Sequence, residues 1–187
     1  MAASIKGSGF ESAAADVLRL VAEGRITREE LAARLDDEDR RHLEGTVMPS
    51  MWYPLSTYDR LIRLLLEKEG RGDPAYLLER GRRAAERLYK AGLYRQLEAT
   101  LERWGERFGG LMGTLGAAMF QDTHWKVERL GEVHRVEVEV PAEFPECARL
   151  TSQGFIEYFG ERASGSPVRV ASHRPLPTRV VYEVTRR

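Results

Sequence analysis

The chain has 187 residues, enough to bury a core without disulfide or metal staples, and this length fits one domain. Its 29 basic and 29 acidic residues cancel, which removes the global field that would draw in nucleic acid or an anionic membrane. A single cysteine, Cys147, leaves no internal disulfide, and no apolar run has the length of a signal peptide or transmembrane segment, so a cytoplasmic protein is expected.

Residues 1–9 are small and polar and predict a flexible N-terminus ahead of one domain over 10–187, helical over 10–120 and a sheet over 123–184. Val17, Leu18, Leu20 and Val21 predict a short helix ending at Gly24, and Thr27 with Glu30 forms a capping box for a second. Asp36 to Arg41 reads as a solvated charge run, followed by a helical turn around His42 and Leu43. The segment from Met48 to Leu55 sets large apolar residues between two prolines, so a regular helix is blocked and Trp52 and Tyr53 anchor a loop. Ser56 is the expected cap of a helix that buries Tyr58, Leu61, Ile62, Leu65 and Leu66. Asp73 and Pro74 open the next helix, and Gly92 stops it. One face of that helix carries Leu77, Gly81, Ala84, Ala85 and Leu88, and its small residues predict a close neighbour.

From Tyr94, the positions Leu97, Leu101, Trp104, Phe108, Leu111, Leu115 and Met119 step by three and four, which predicts the longest helix of the chain. Gly109, Gly110, Gly113 and Gly116 would each cost about 1 kcal/mol relative to alanine in a helix interior. Close approach of another helix, the sheet or a ligand is expected to compensate. Beyond Thr123 the period becomes two: His134, Val136, Val138 and Val140 alternate with Arg135, Glu137 and Glu139, and Val180, Tyr182 and Val184 alternate with Arg179, Val181 and Glu183. Strands are predicted over 124–130 and 132–140 with a turn at Gly131, then a helix through Cys147, Thr151, Gly154, Phe155, Tyr158 and Phe159 to Gly165. Two more strands follow, from Pro167 and over 178–184. The fold class is α+β, an N-terminal helical half followed by a β-β-α-β-β antiparallel sheet unit.

This order of elements carries a resemblance, together with Trp125 and Val127, the Leu130-Gly131 turn, the helix with Cys147 and Gly154-Phe155, and the final Val-Tyr-Glu-Val strand. It resembles the small-molecule-binding domains related to bacteriochlorophyll 4-vinyl reductase, which share their fold with haem-NO-binding domains and TRAPP vesicle-tethering subunits. The Trp-Tyr-Pro segment at 52–54 is similar to a large set of myxobacterial paralogues. Two departures limit what the resemblance implies. The cysteines of the 4-vinyl-reductase type are missing from the last hairpin, Ser172 to Thr178, and the tyrosine, serine and arginine motif that holds haem propionates is absent. The cofactor is therefore unknown, with no haem or metal motif.

The four histidines, at 42, 124, 134 and 173, show no spacing that converges on a metal. His134 is placed on the core face with Val136, with His124 across the hairpin from it. Cys147 is either an inert small hydrophobe or, as the TRAPP resemblance implies, an acylation or ligand-contact point. No phosphate loop, dinucleotide fingerprint or nucleophile elbow appears, and no catalytic residue is assigned. Arg80, Arg82, Arg83 and Arg87 form a basic stripe of the kind that usually faces solvent.

An apolar pocket between the long helices and the sheet is the candidate site, with Met112, Leu115, Met119, Phe155, Tyr158, Phe159 and Cys147 as ligand-binding residues. The same residues fill a solid core in the competing reading. The leading function is a non-enzymatic sensory or regulatory domain that binds a hydrophobic small molecule or acyl chain and signals through a protein partner or as a homodimer. The alternative is a TRAPP-like interaction module with a filled core. An enzyme acting on a tetrapyrrole rests on the family analogy alone.

Overall fold

The computed structural model of the chain describes residues 3–92 and 106–187. Its first element corrects the expected flexible N-terminus. Ser4–Lys6 is strand β1, paired on both sides with β2 (Trp52–Pro54) and β3 (Phe120–Gln121) in an antiparallel sheet of order β2-β1-β3. Strands of two or three residues are too short to show a period of two, so the sequence pattern does not reveal them.

Helix α1 (Gly7–Ala22) buries Phe10, Ala13, Val17 and Leu20 and ends at Gly24, whose φ of 70° is the left-handed value that glycine adopts without strain. In α2 (Arg28–Arg34) the expected cap forms, with Thr27 Oγ1 accepting the Glu30 N–H at 3.1 Å. The charge run is not wholly solvated. It forms α3 (Asp37–Glu44), and Asp39 is only 1% exposed. Its carboxylate accepts hydrogen bonds from Thr57 Oγ1 at 2.5 Å and Arg60 Nη2 at 2.7 Å, both on α4 (Leu55–Lys68). Burial alone would raise the Asp39 pKa, but the bonds from Arg60 and Thr57 overcome it and hold the carboxyl below its usual range. Helix α4 begins one residue before the expected Ser56 cap, because the Leu55 N–H donates to the Ala3 carbonyl at 3.0 Å. Tyr53 anchors the preceding loop as read, stacked on Phe10 at 4.5 Å and accepting the Met48 N–H at 2.8 Å.

Helix α5 (Ala75–Lys90) opens with Asp73 accepting the Ala75 N–H at 2.9 Å. Helix α6 (Glu106–Met119) turns Phe108, Leu111, Met112, Leu115 and Met119 into the chain's own core; Leu97, Leu101 and Trp104 of the same predicted helix lie outside the described residues. Strands β4 (His124–Leu130) and β5 (Val133–Glu139) follow, then α7 (Glu146–Ser164), β6 (Val168–Leu176) and β7 (Arg179–Arg186). The four strands share one antiparallel sheet of order β4-β5-β7-β6, so the predicted β-β-α-β-β unit is present. Val136 and Val138 meet Val180, Tyr182 and Val184 on its buried face, and α7 packs against β6 and β7. His124 pairs with Glu139 and His134 with Arg129, so the two histidines do not face each other across the hairpin.

The small face of α5 has the close neighbour it implies. A Cβ on Gly81 would overlap the Thr151 carbonyl of α7, and a Cβ on Gly154 would overlap the Leu78 carbonyl of α5. Neither carbonyl can move without breaking its helix. Gly81→Ala and Gly154→Ala are each expected to destabilise the protein by about 1–3 kcal/mol in urea unfolding, the usual cost of overpacking. Gly110→Ala, with nothing within 4 Å of the added carbon, is expected to stabilise it by up to about 1 kcal/mol. Because the folded pKa of Asp39 is depressed, the advantage of the wild type over Asp39→Asn should be full at neutral pH and shrink as pH falls below the ordinary carboxylate range of about 4.

Candidate functional site

Beside the α5/α7 contact lies a cavity of about 50 Å³. Helix α6 supplies Met112, Leu115, Gly116 and Met119, and α7 supplies Thr151, Ser152, Phe155 and Ile156. Gly81 and Ala84 of α5 and Tyr58 of α4 close a second side, and Ile5 with Gly9 close a third. Phe120 and Trp125 complete the wall. Of the seven residues named from the sequence, Met112, Leu115, Met119 and Phe155 line it. The cavity lies among helices of the N-terminal half, α6 and α7, and the large sheet contributes only Trp125.

Three predicted site residues are not on this wall. Phe159 shares the face of Phe155 but lies one turn further along α7, buried in the core with its ring 5.0 Å from Phe155. Tyr158 turns instead toward Tyr89 of α5, ring to ring at 6.3 Å. Cys147 lies a turn before Thr151, buried beside Asp59 and Arg63 of α4. Burial, and next the Asp59 charge, push its thiol up to about 12, so it stays protonated at neutral pH and lacks the thiolate that acylation requires.

Trp125 fixes the shape of the wall. A Cβ at Gly116 would run into the indole, so the ring occupies the space that this glycine leaves. The indole N–H donates to Thr123 Oγ1 at 2.9 Å, and the ring stacks on Phe120 at 5.8 Å. A Cβ at Gly109 would sit 3.5 Å from Val127, an ordinary contact, and one at Gly110 or Gly113 would have nothing within 4 Å. Close approach thus accounts for one of the four glycines, Gly116.

The wall carries no charged side chain. Tyr58 is buried, which raises its phenol above the ordinary value, so it is neutral. The Thr151 hydroxyl donates to the carbonyls of Cys147 and Ala148 at 2.9 and 3.1 Å. Such a surface is apolar apart from the hydroxyls of Tyr58, Thr151 and Ser152. Among the described residues no three of His, Cys, Asp and Glu converge as a metal site, and no helix is long and apolar enough to cross a membrane.

No family model matches the sequence, and no curated protein matches it. Solved structures do. A point mutant of the H-NOX protein from K. algicida, in its Fe(II) unliganded form, matches with a TM-score of 0.61 at 15% identity, over 98% of this chain and 97% of that one. A point mutant of T. tengcongensis H-NOX matches with a TM-score of 0.53 at 12% identity, over 98% of each chain. The chain has the H-NOX fold. At these identities the likeness carries the architecture alone, and it places the α+β order and both sheets of this chain in the H-NOX arrangement.

Gly116→Ala should expel the indole from its place, lowering stability by about 1–3 kcal/mol and shifting tryptophan emission to longer wavelength. Cys147 in the folded protein should react with a disulfide reagent at neutral pH only as fast as the fold opens, and at once in denaturant; a rapid reaction without unfolding would show a thiolate in place of the protonated thiol.

Proposed function

We propose that this H-NOX-fold chain is a non-enzymatic sensory or regulatory domain that takes a small hydrophobic molecule, or the end of an acyl chain, into the cavity and reports its presence through protein contacts. A homodimer or a second protein would receive the signal. The observation that carries this reading is the uncharged cavity with Trp125 in its wall. Strand β4, which bears Trp125, is an edge of the large sheet and ends at Leu130, 54% exposed. A guest that moves the indole therefore moves a strand at the surface.

The volume limits the guest. Drug-sized ligands take roughly 300 Å³ or more, and an engineered cavity of roughly 150 Å³ holds benzene or xenon. On that scale a volume of about 50 Å³ accepts roughly two or three carbon-sized groups. A haem, which the Fe(II) of the K. algicida protein raises as a question, does not fit the described residues. The cavity is several-fold too small, and none of His42, His124, His134, His173 or Cys147 lines it. Residues 93–105 contain no histidine, cysteine or methionine.

The small volume also favours the second reading, a TRAPP-like interaction module whose core is essentially filled. The kinship with 4-vinyl-reductase-related domains and myxobacterial paralogues belongs to the same proposal. Titration with 1-butanol, followed by NMR of ¹³C-methyl methionine, separates the two readings. Saturable shifts at Met112 and Met119, with exposed Met48 and Met51 unmoved, are expected of a binding cavity. Unchanged Met112 and Met119 signals would leave the filled-core module.

A further inference from the structure

Helix α5 carries five basic side chains, and four of them have acidic partners. Arg80 Nη1 lies 2.7 Å from Asp16 of α1, and Arg82 bridges Glu157 and Glu161 of α7 at 3.0 and 2.6 Å. Arg83 pairs with Glu79 at 2.8 Å and Lys90 with Glu86 at 2.7 Å. Among the described residues the Arg87 side chain has neither an ion pair nor a hydrogen bond. The basic stripe of the sequence is thus neutralised everywhere except at one position.

Helix geometry sets that position near the cavity. Near the start of α5, Tyr76 donates at 2.7 Å to Glu69, which Arg19 of α1 also holds. One turn later Arg80 reaches Asp16 and the Ser12 carbonyl, so α5 runs antiparallel to α1. Two turns further on, Arg87 comes level with the beginning of α1, where Ile5 and Gly9 line the cavity. It also follows the cavity residue Ala84 by three positions, which puts both on one flank of the helix. Arg87 acts electrostatically on the phenol of Tyr58, another wall residue, and is flanked by Arg80 and Arg83 with Asp16 as the opposing charge. Partial burial, and next the charge of Arg80, lower the pKa of Arg87, as befits an under-compensated cation.

We infer that the guest of the cavity is a short-chain monocarboxylate, with its hydrocarbon end among Met112, Leu115 and Ile156 and its carboxylate on Arg87. This rests on the cavity reading proposed above and names the chemical class of its ligand. The uncharged wall accepts only the tail, so the charge must sit at the rim. A guanidinium there offers a carboxylate two parallel, charge-assisted hydrogen bonds, which a neutral guest of the same length forgoes.

Butyrate and 1-butanol, compared at neutral pH by the methionine-methyl NMR assay, test the inference in the wild type, Arg87→Gln and Arg83→Gln. Butyrate should bind the wild type about tenfold more tightly than butanol. Arg87→Gln should erase that preference while leaving butanol affinity and melting temperature unchanged. Arg83→Gln, which removes the same charge from a paired position, should keep it. Equal butyrate affinity in the wild type and Arg87→Gln, or butanol binding as well as butyrate in the wild type, would overturn the carboxylate assignment and leave the apolar cavity standing. No shift with either probe would remove both.

Discussion

Two helices meeting backbone to backbone set the terms for the rest of the molecule. At Gly81 and Gly154, α5 and α7 approach so closely that each glycine faces a carbonyl of the other helix. Side chains cannot interdigitate at such a contact, so they diverge on its flanks. Gly81 and Thr151 belong both to the contact and to the cavity wall. The cavity is in this sense a consequence of the glycine contact. It is the space that α6 and the beginning of α1 leave where α5 and α7 come together without side chains between them.

The remaining interactions hold that geometry in place. On one side, Asp39 is buried and bound by Thr57 and Arg60, which ties α3 to α4 and thereby positions Tyr58 at the wall. On the other side, the buried valines of β5 and β7 and Tyr182 back α7, with the Tyr182 hydroxyl donating to the Arg149 carbonyl at 3.2 Å. Arg80 and Arg82 fasten α5 to α1 and α7 through carboxylates. Among the described residues every basic side chain of α5 but Arg87 is paired with a carboxylate.

The large sheet was legible in the sequence because Val136, Val138, Val180 and Val184 alternate with charged neighbours, and a half-buried strand leaves that signature wherever it occurs. Helix ends were legible where Thr27, Asp73, Gly24 and Gly165 supply cap chemistry. The three-stranded sheet was not, since strands as short as Ser4–Lys6 have no period. Asp39 was hidden because a run of charges does not say which member turns inward. Apolar spacing found Met112, Leu115, Met119 and Phe155, since it reports the face of a helix. It does not report depth along the axis, so it does not separate Phe159 and Cys147, each one turn from a wall residue of α7, from the wall itself, and Tyr158 turns toward Tyr89. Arg87 looked like its neighbours for a related reason: whether an arginine is paired depends on carboxylates that the fold brings from α1 and α7.

Everything said of the ligand requires an apolar space among α1, α5, α6 and α7 that can be filled without unfolding the domain. Crystals equilibrated under xenon pressure test it most directly. One ordered xenon atom bounded by Met112, Leu115 and Phe155 is expected, with the surrounding helices undisplaced. Electron density showing those side chains in mutual contact and xenon absent from that position would contradict it.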